Sequence, residues 1–243
     1  MYSLSSTIGP QTSWLVQGMN GVGHRKHIGR AALAVLGLSV LLSGCMETVQ
    51  PASDANLTPL DRRLLANAPY ARATISEQYQ RHIVEYPRRE APGTILVDTD
   101  ARYLYYVLPE GKAIRYGVTV GEEALAWSGV AKVGRLTEWQ SWTPTPEIKQ
   151  RMHVPNYVSP GPQNPMGARA LYLFEGNKDT LYRIHGTNQP EYIGHAISSG
   201  CIRMTNEDVI DLYKRVKLGT TVVVLAPHQG FSLRVAGGAR ANY

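Results

Sequence analysis

From residue 93 to residue 225 the chain is broken into short β-rich runs, and this rhythm restricts the fold more than any other feature. Residues 94–97 and 102–108 flank the turn-like Asp98-Thr99-Asp100-Ala101, and 113–120 follows Pro109-Glu110-Gly111-Lys112, which predicts a three-stranded meander. Residues 130–142 form another extended segment. Its Trp139 and Trp142 read as core or rim packing, since an indole buries a large area wherever it lies. Residues 170–174 and 180–184 predict a hairpin across 175–179, and 220–225 is a continuous β-branched run with the length of a buried strand. One stretch, 205–217, reads as a clear helix: Val209, Ile210, Leu212, Tyr213 and Val216 share a face, and Gly219 ends it. Thr205 with Asp208 three places on is a helix-start signal, and Lys214, Arg215 and Lys217 suit the C-terminal dipole. Many short strands and one helix, without internal repeats, predict a mainly β domain over 93–226. It should be a mostly antiparallel sandwich or barrel with one outer helix at about 205–217.

The flanking regions have different compositions. Arg25-Lys26-His27-Ile28-Gly29-Arg30 is a basic patch, and the apolar run 31–42 after it is too short to span a bilayer comfortably. Leu42-Ser43-Gly44-Cys45 then resembles a bacterial lipoprotein signal, so 1–44 are expected to be a leader, with Met19 a possible true start and Cys45 lipidated. Residues 45–59 read as a flexible tether, 60–92 as an extension with one or two short helices, and 227–243 as a loose tail. Removing the three leader cations from the formal charge of +6 leaves +3. That is too weak to argue for nucleic acid, although it suits an anionic polymer such as a cell wall.

Residues 150–168, with Pro155, Pro160, Pro162, Pro165, Gly161 and Gly167, are expected to form a long irregular loop, a feature that is usually functional inside a domain. His153 at its start reads as an exposed loop residue. Chemistry concentrates further on, in 183–204. A Cys acts as a nucleophile only as thiolate, so it needs a base, a cation or a helix N-terminus nearby. His185 ends an apolar run with the look of a strand, Cys201 lies just ahead of the 205–217 helix, and Arg203 follows it. With Cys45 carrying lipid, Cys201 has no disulfide partner and stays a free thiol in an oxidising compartment.

His185-Gly186-Thr187 together with Ser198-Ser199-Gly200-Cys201-Ile202-Arg203-Met204 resembles the signature of the L,D-transpeptidase (YkuD-type) catalytic domain, and Asn164-Pro165-Met166-Gly167 resembles a family segment near the catalytic strand. The resemblance covers about 93–226. It implies a cysteine acyltransferase without cofactor or metal, with Cys201 as nucleophile and His185 as general base and acid. Gly186 would orient His185 through its carbonyl, and main-chain N–H groups at Gly200 and Cys201 would serve the oxyanion. Arg203, Ser198, Ser199, Asn164, Met166 and Gly167 would contact substrate. The implied donor is a peptidoglycan tetrapeptide stem that loses its terminal D-alanine, and the acceptor a diamino-acid amine of another stem or an outer-membrane protein. The setting is the periplasmic envelope, with a lipid anchor in a membrane. Many members carry a second His two places before the Cys, where this chain has Ser199; His195 is a reserve candidate for the base. Water as acceptor would make an L,D-carboxypeptidase, an inert thiol would leave a wall-binding lipoprotein, and Cys201 with His185 and His195 lacks the paired-ligand spacing of a metal site.

Overall fold

The computed structural model describes residues 48–49, 57–68, 74–122 and 127–230. Cys45 and the leader, most of the 45–59 tether, and residues 231–243 of the tail lie outside the described residues. In chain order the elements are β1 (Thr48–Val49), α1 (Pro59–Ala66), β2 (His82–Glu85), β3 (Ile95–Asp98), β4 (Tyr103–Val107) and β5 (Lys112–Gly117). They continue with β6 (Val120–Gly121), β7 (Gly129–Glu138), α2 (Pro146–Arg151), β8 (Arg169–Glu175), β9 (Lys178–His185), β10 (Ala196–Ser198), β11 (Ile202–Arg203), α3 (Asn206–Arg215) and β12 (Thr221–Val224).

The architecture is mainly β. One ten-stranded sheet runs β1-β2-β5-β4-β3-β12-β7-β8-β9-β11, and β10 pairs with β6 beside it. The ten-stranded sheet is mixed rather than purely antiparallel, since β12 runs parallel to β3 and β11 to β9; the separate β10–β6 pair is parallel too. Both faces of the middle strands are buried. Ile95, Val97 and Leu104 point into a core shared with Val209, Ile210 and Leu212 of α3, whereas Leu96, Tyr105 and Val107 pack on the other side with Val84 and Tyr86. This explains why β3 reads as continuously apolar. Helix α3 starts as its sequence suggests, with the Thr205 hydroxyl accepting from the Asp208 N–H at 3.1 Å.

Three local expectations are adjusted. The 60–92 extension holds α1 and a short 3₁₀ turn at Glu77–Tyr79, but also β2, which pairs antiparallel with β5 from His82↔Arg115 to Glu85↔Lys112. Its two apolar residues, Ile83 and Val84, are too few to show a period between charged neighbours. Helix α2 lies just ahead of the expected 150–168 loop and takes its first two residues, because Thr145 caps it by accepting from the Ile148 N–H and Pro146 fits its first turn. The third is the 113–120 run, which breaks after Gly117 into β5 and β6.

The extension is anchored by buried charge. Asp61 of α1 pairs with Arg169 of β8 at 2.9 Å, and Arg81 lies 3.2 Å from Asp211 of α3. Tyr79 packs so tightly against Gly194 and Gly117 that a Cβ at either glycine would collide with it.

Candidate active site

Sheet register assembles the site. Parallel strands β9 and β11 pair Ile184 with Ile202 and His185 with Arg203. Both isoleucines are buried in the core. Because strand side chains alternate, Arg183, His185 and Arg203 belong to the opposite face. Cys201, one residue before β11, stands beside Arg183, whose backbone N–H donates to its sulfur. Cys201 and His185 thus project to one face, two register positions apart along the paired strands.

The His185 ring is buried, with Nδ1 2.6 Å from the Gly186 carbonyl oxygen. A carbonyl can only accept, so Nδ1 carries the proton and Nε2 keeps the lone pair that a general base needs. Burial, helped by the Arg203 and Arg183 cations, pushes the His185 pKa down to about 3 even though the Gly186 and Met166 backbones favour the protonated ring. Burial likewise pushes the Cys201 thiol up, more than the Arg183 N–H and the two guanidinium charges pull it down. The Arg183 and Arg203 cations do act on the sulfur, as the sequence suggests for a cation, but desolvation outweighs them. At rest, therefore, the thiol keeps its proton and the imidazole is unprotonated.

A scaffold behind His185 escaped the sequence reading. The Gly186 N–H donates to the Arg169 carbonyl at 3.0 Å. Asn206, the first residue of α3, accepts from the Ala168 N–H at 2.8 Å and donates to the Thr187 carbonyl at 2.9 Å. It clamps the strand entering β8 to the turn leaving β9. Gly167 and Gly186 approach this amide so closely that a Cβ on either would overlap Asn206 Oδ1, and Gly167 also has φ +63°. The one sequence signal for Asn206 is its place directly after the Thr205 cap.

Several expected substrate contacts are instead internal. Asn164 is fully buried, its amide donating to the carbonyls of Gln140, Val158 and Ser159 while its oxygen accepts from the Met166 N–H. It organises the 152–168 loop and has no side-chain group left for a ligand. Ser198 is 1 % exposed; its hydroxyl donates to the Cys201 carbonyl and accepts from the Gly200 N–H. The Gly200 N–H is therefore committed to Ser198 here rather than presented to an oxyanion. Ser199 is exposed, Met166 is buried beside His185, and Arg203 is half-buried with no ion pair or hydrogen bond to its guanidinium among the described residues. His195 is exposed, with its ring edge-on to Tyr192, and His153 is exposed on its loop. Trp139 is buried, and its indole N–H donates to Asp61.

Residues 92–224 match the family model of the L,D-transpeptidase catalytic domain, YkuD. The chain belongs to this family. Among its relatives are two Escherichia coli K12 proteins, the probable L,D-transpeptidases ErfK/SrfK and YbiS. The first is 35 % identical over 54 % of this chain and 43 % of its own length, the second 33 % identical over the same shares. The chain thus matches less than half the length of either. A solved Brucella melitensis structure, described as a probable carnitine operon oxidoreductase, is 46 % identical over 62 % of this chain and 96 % of that one, with a TM-score of 0.42. At that TM-score the superposition bears on neither fold nor chemistry.

Proposed function

We propose that the protein is a peptidoglycan L,D-transpeptidase in which Cys201 is the nucleophile and His185 the general base and acid. The shared face of β9 and β11 supports this reading, since Cys201 and His185 both project to it and the Gly186 carbonyl keeps the proton on His185 Nδ1. Cys201 Sγ attacks the amide carbonyl that joins the third stem residue to terminal D-alanine, and its proton passes to His185 Nε2. The C–N bond breaks, and the same proton leaves with the D-alanine amine. A second amine then attacks the thioester, the C–S bond breaks, and its proton returns through His185 to sulfur. With a diamino-acid amine as acceptor the product is a link between third residues; an envelope protein offering a terminal amine would become wall-bound.

Arg203 is the substrate-carboxylate contact. Its cation lies beside both Cys201 and His185, and a guanidinium without an internal anion suits a bidentate carboxylate. Backbone N–H groups near Cys201 other than that of Gly200 would receive the oxyanion. Localisation in the envelope, with a lipid anchor at Cys45, follows from the leader sequence.

The test is product mass after incubation with purified tetrapeptide muropeptides. Loss of D-alanine with a dimeric product supports transfer, loss without a dimer assigns water as acceptor, and no loss contradicts acyl transfer. Arg203→Ala is expected to raise KM about 10–100-fold while changing kcat less, because it removes a charged hydrogen-bond partner of the bound substrate.

A further inference from the structure

The family match begins at residue 92, yet one of the most buried charges in the described protein lies upstream of it. Asp61 is fully buried in α1 and 108 residues away in sequence from Arg169, whose Nη1 and Nη2 donate to its two carboxylate oxygens at 3.0 and 2.9 Å. The Trp139 indole N–H donates to the same carboxylate at 2.8 Å, and the Thr58 hydroxyl donates at 2.7 Å as part of a capping box. All these donors converge on one side chain. Burial pushes the Asp61 carboxyl up, but the hydrogen bonds from Arg169, Thr58 and Trp139 hold it below the usual carboxylate range.

What lies beyond the pair gives it meaning. The Arg169 carbonyl accepts the Gly186 N–H, and the Gly186 carbonyl accepts from His185 Nδ1. Arg169 Nη1 also donates to the Ala168 carbonyl at 2.8 Å, which the Trp139 N–H shares. The guanidinium therefore fixes the backbone of 168–169, that backbone fixes the Gly186 peptide, and the peptide fixes the imidazole tautomer and plane. Glu138, the other acid near Arg169 at 3.4 Å, is half-exposed and too solvated to replace Asp61.

We infer that Asp61 is a positioning residue for His185, acting through Arg169 and the Gly186 peptide, so that α1 belongs to the catalytic machinery although it lies outside the catalytic-domain match. This rests on His185 being the base of the proposed reaction.

The experiment compares Asp61→Asn with the unaltered mature chain by ¹⁵N NMR of the His185 ring and amide exchange of Gly186, alongside the saturating rate of Cys201 acylation by a carbapenem. Expected in the folded variant are mixed His185 tautomers, at least ~10-fold faster Gly186 exchange and a ~10–100-fold slower saturating rate, the scale of a small misplacement of a reacting group. The half-saturating drug concentration should change less than about threefold, since binding groups are untouched. Arg169→Gln added to Asp61→Asn removes the stranded cation and should recover part of the rate. Should Asp61→Asn not fold, Trp139→Phe deletes one donor to the carboxylate, keeps the ion pair, and should give the same changes in weaker form. A folded variant with unchanged His185 tautomer and Gly186 exchange overturns the inference. Failure of the unaltered chain to acylate contradicts the proposed function instead, and the NMR readout still decides the role of Asp61.

Discussion

His185→Ala is expected to slow acylation of Cys201 by a carbapenem about 10²–10⁴-fold, the usual contribution of a positioned general base, while His195→Ala leaves the rate within about twofold. The two imidazoles are separated by their surroundings. His185 is buried on the strand face that also carries Cys201, with Nδ1 held by the Gly186 carbonyl, whereas His195 is exposed beside Tyr192. The pH profile belongs to the same prediction. His185 must be neutral to accept a proton, and with its pKa at about 3 it stays neutral from pH 5 to pH 8. Acylation should therefore show no inflection near 6.5, where an unperturbed imidazole titrates. The linkage sign is fixed as well: the His185 pKa is depressed in the folded state, so the unfolded chain takes up its proton first on acidification. Its contribution to stability falls as pH drops from about 6.5 toward 3, by about 1.4 kcal/mol per unit. Stopped-flow acylation and pH-dependent unfolding check both parts.

Gly186→Ala is expected to cost about 3 kcal/mol of stability, the upper range for forcing atoms into a filled site, and roughly 6–12 °C in Tm for a chain of this size. The new Cβ would overlap Asn206 Oδ1 and come within 3.0 Å of the Ala168 backbone nitrogen. Asn206 cannot swing aside, because both ends of its amide are bonded to backbone. Any shift of the Gly186 peptide also moves the carbonyl that orients His185, so acylation should slow in the fraction that remains folded. Thermal unfolding and the acylation rate, measured below the lowered midpoint, report the two effects separately.

How much of this was legible in the sequence depends on the range of the interaction. Local signals carried well: the Thr205 cap, the apolar face of α3 and the turn between β8 and β9 are each settled within a few residues. The parallel pairs β3–β12 and β9–β11 were not legible, since the first joins strands far apart in the chain, the second uses a β11 of only two residues, and composition encodes the direction of neither. The roles of site residues divide along the same line. His185 and Cys201 stood out by chemistry and motif, but Asn164 and Ser198, expected beside substrate, spend their polar atoms on the loops that carry the site. Asp61 could not be found from spacing at all. An acid in a short helix looks solvated until its partner arrives from 108 residues downstream.

Intact-protein mass after exposure to a carbapenem, for the unaltered chain and for Cys201→Ala, tests the central claim most directly. The neutral thiol–imidazole pair predicts one drug-sized adduct on the unaltered chain and none on Cys201→Ala. An unmodified thiol in the folded chain, or an adduct that persists in Cys201→Ala, would contradict Cys201 as the nucleophile.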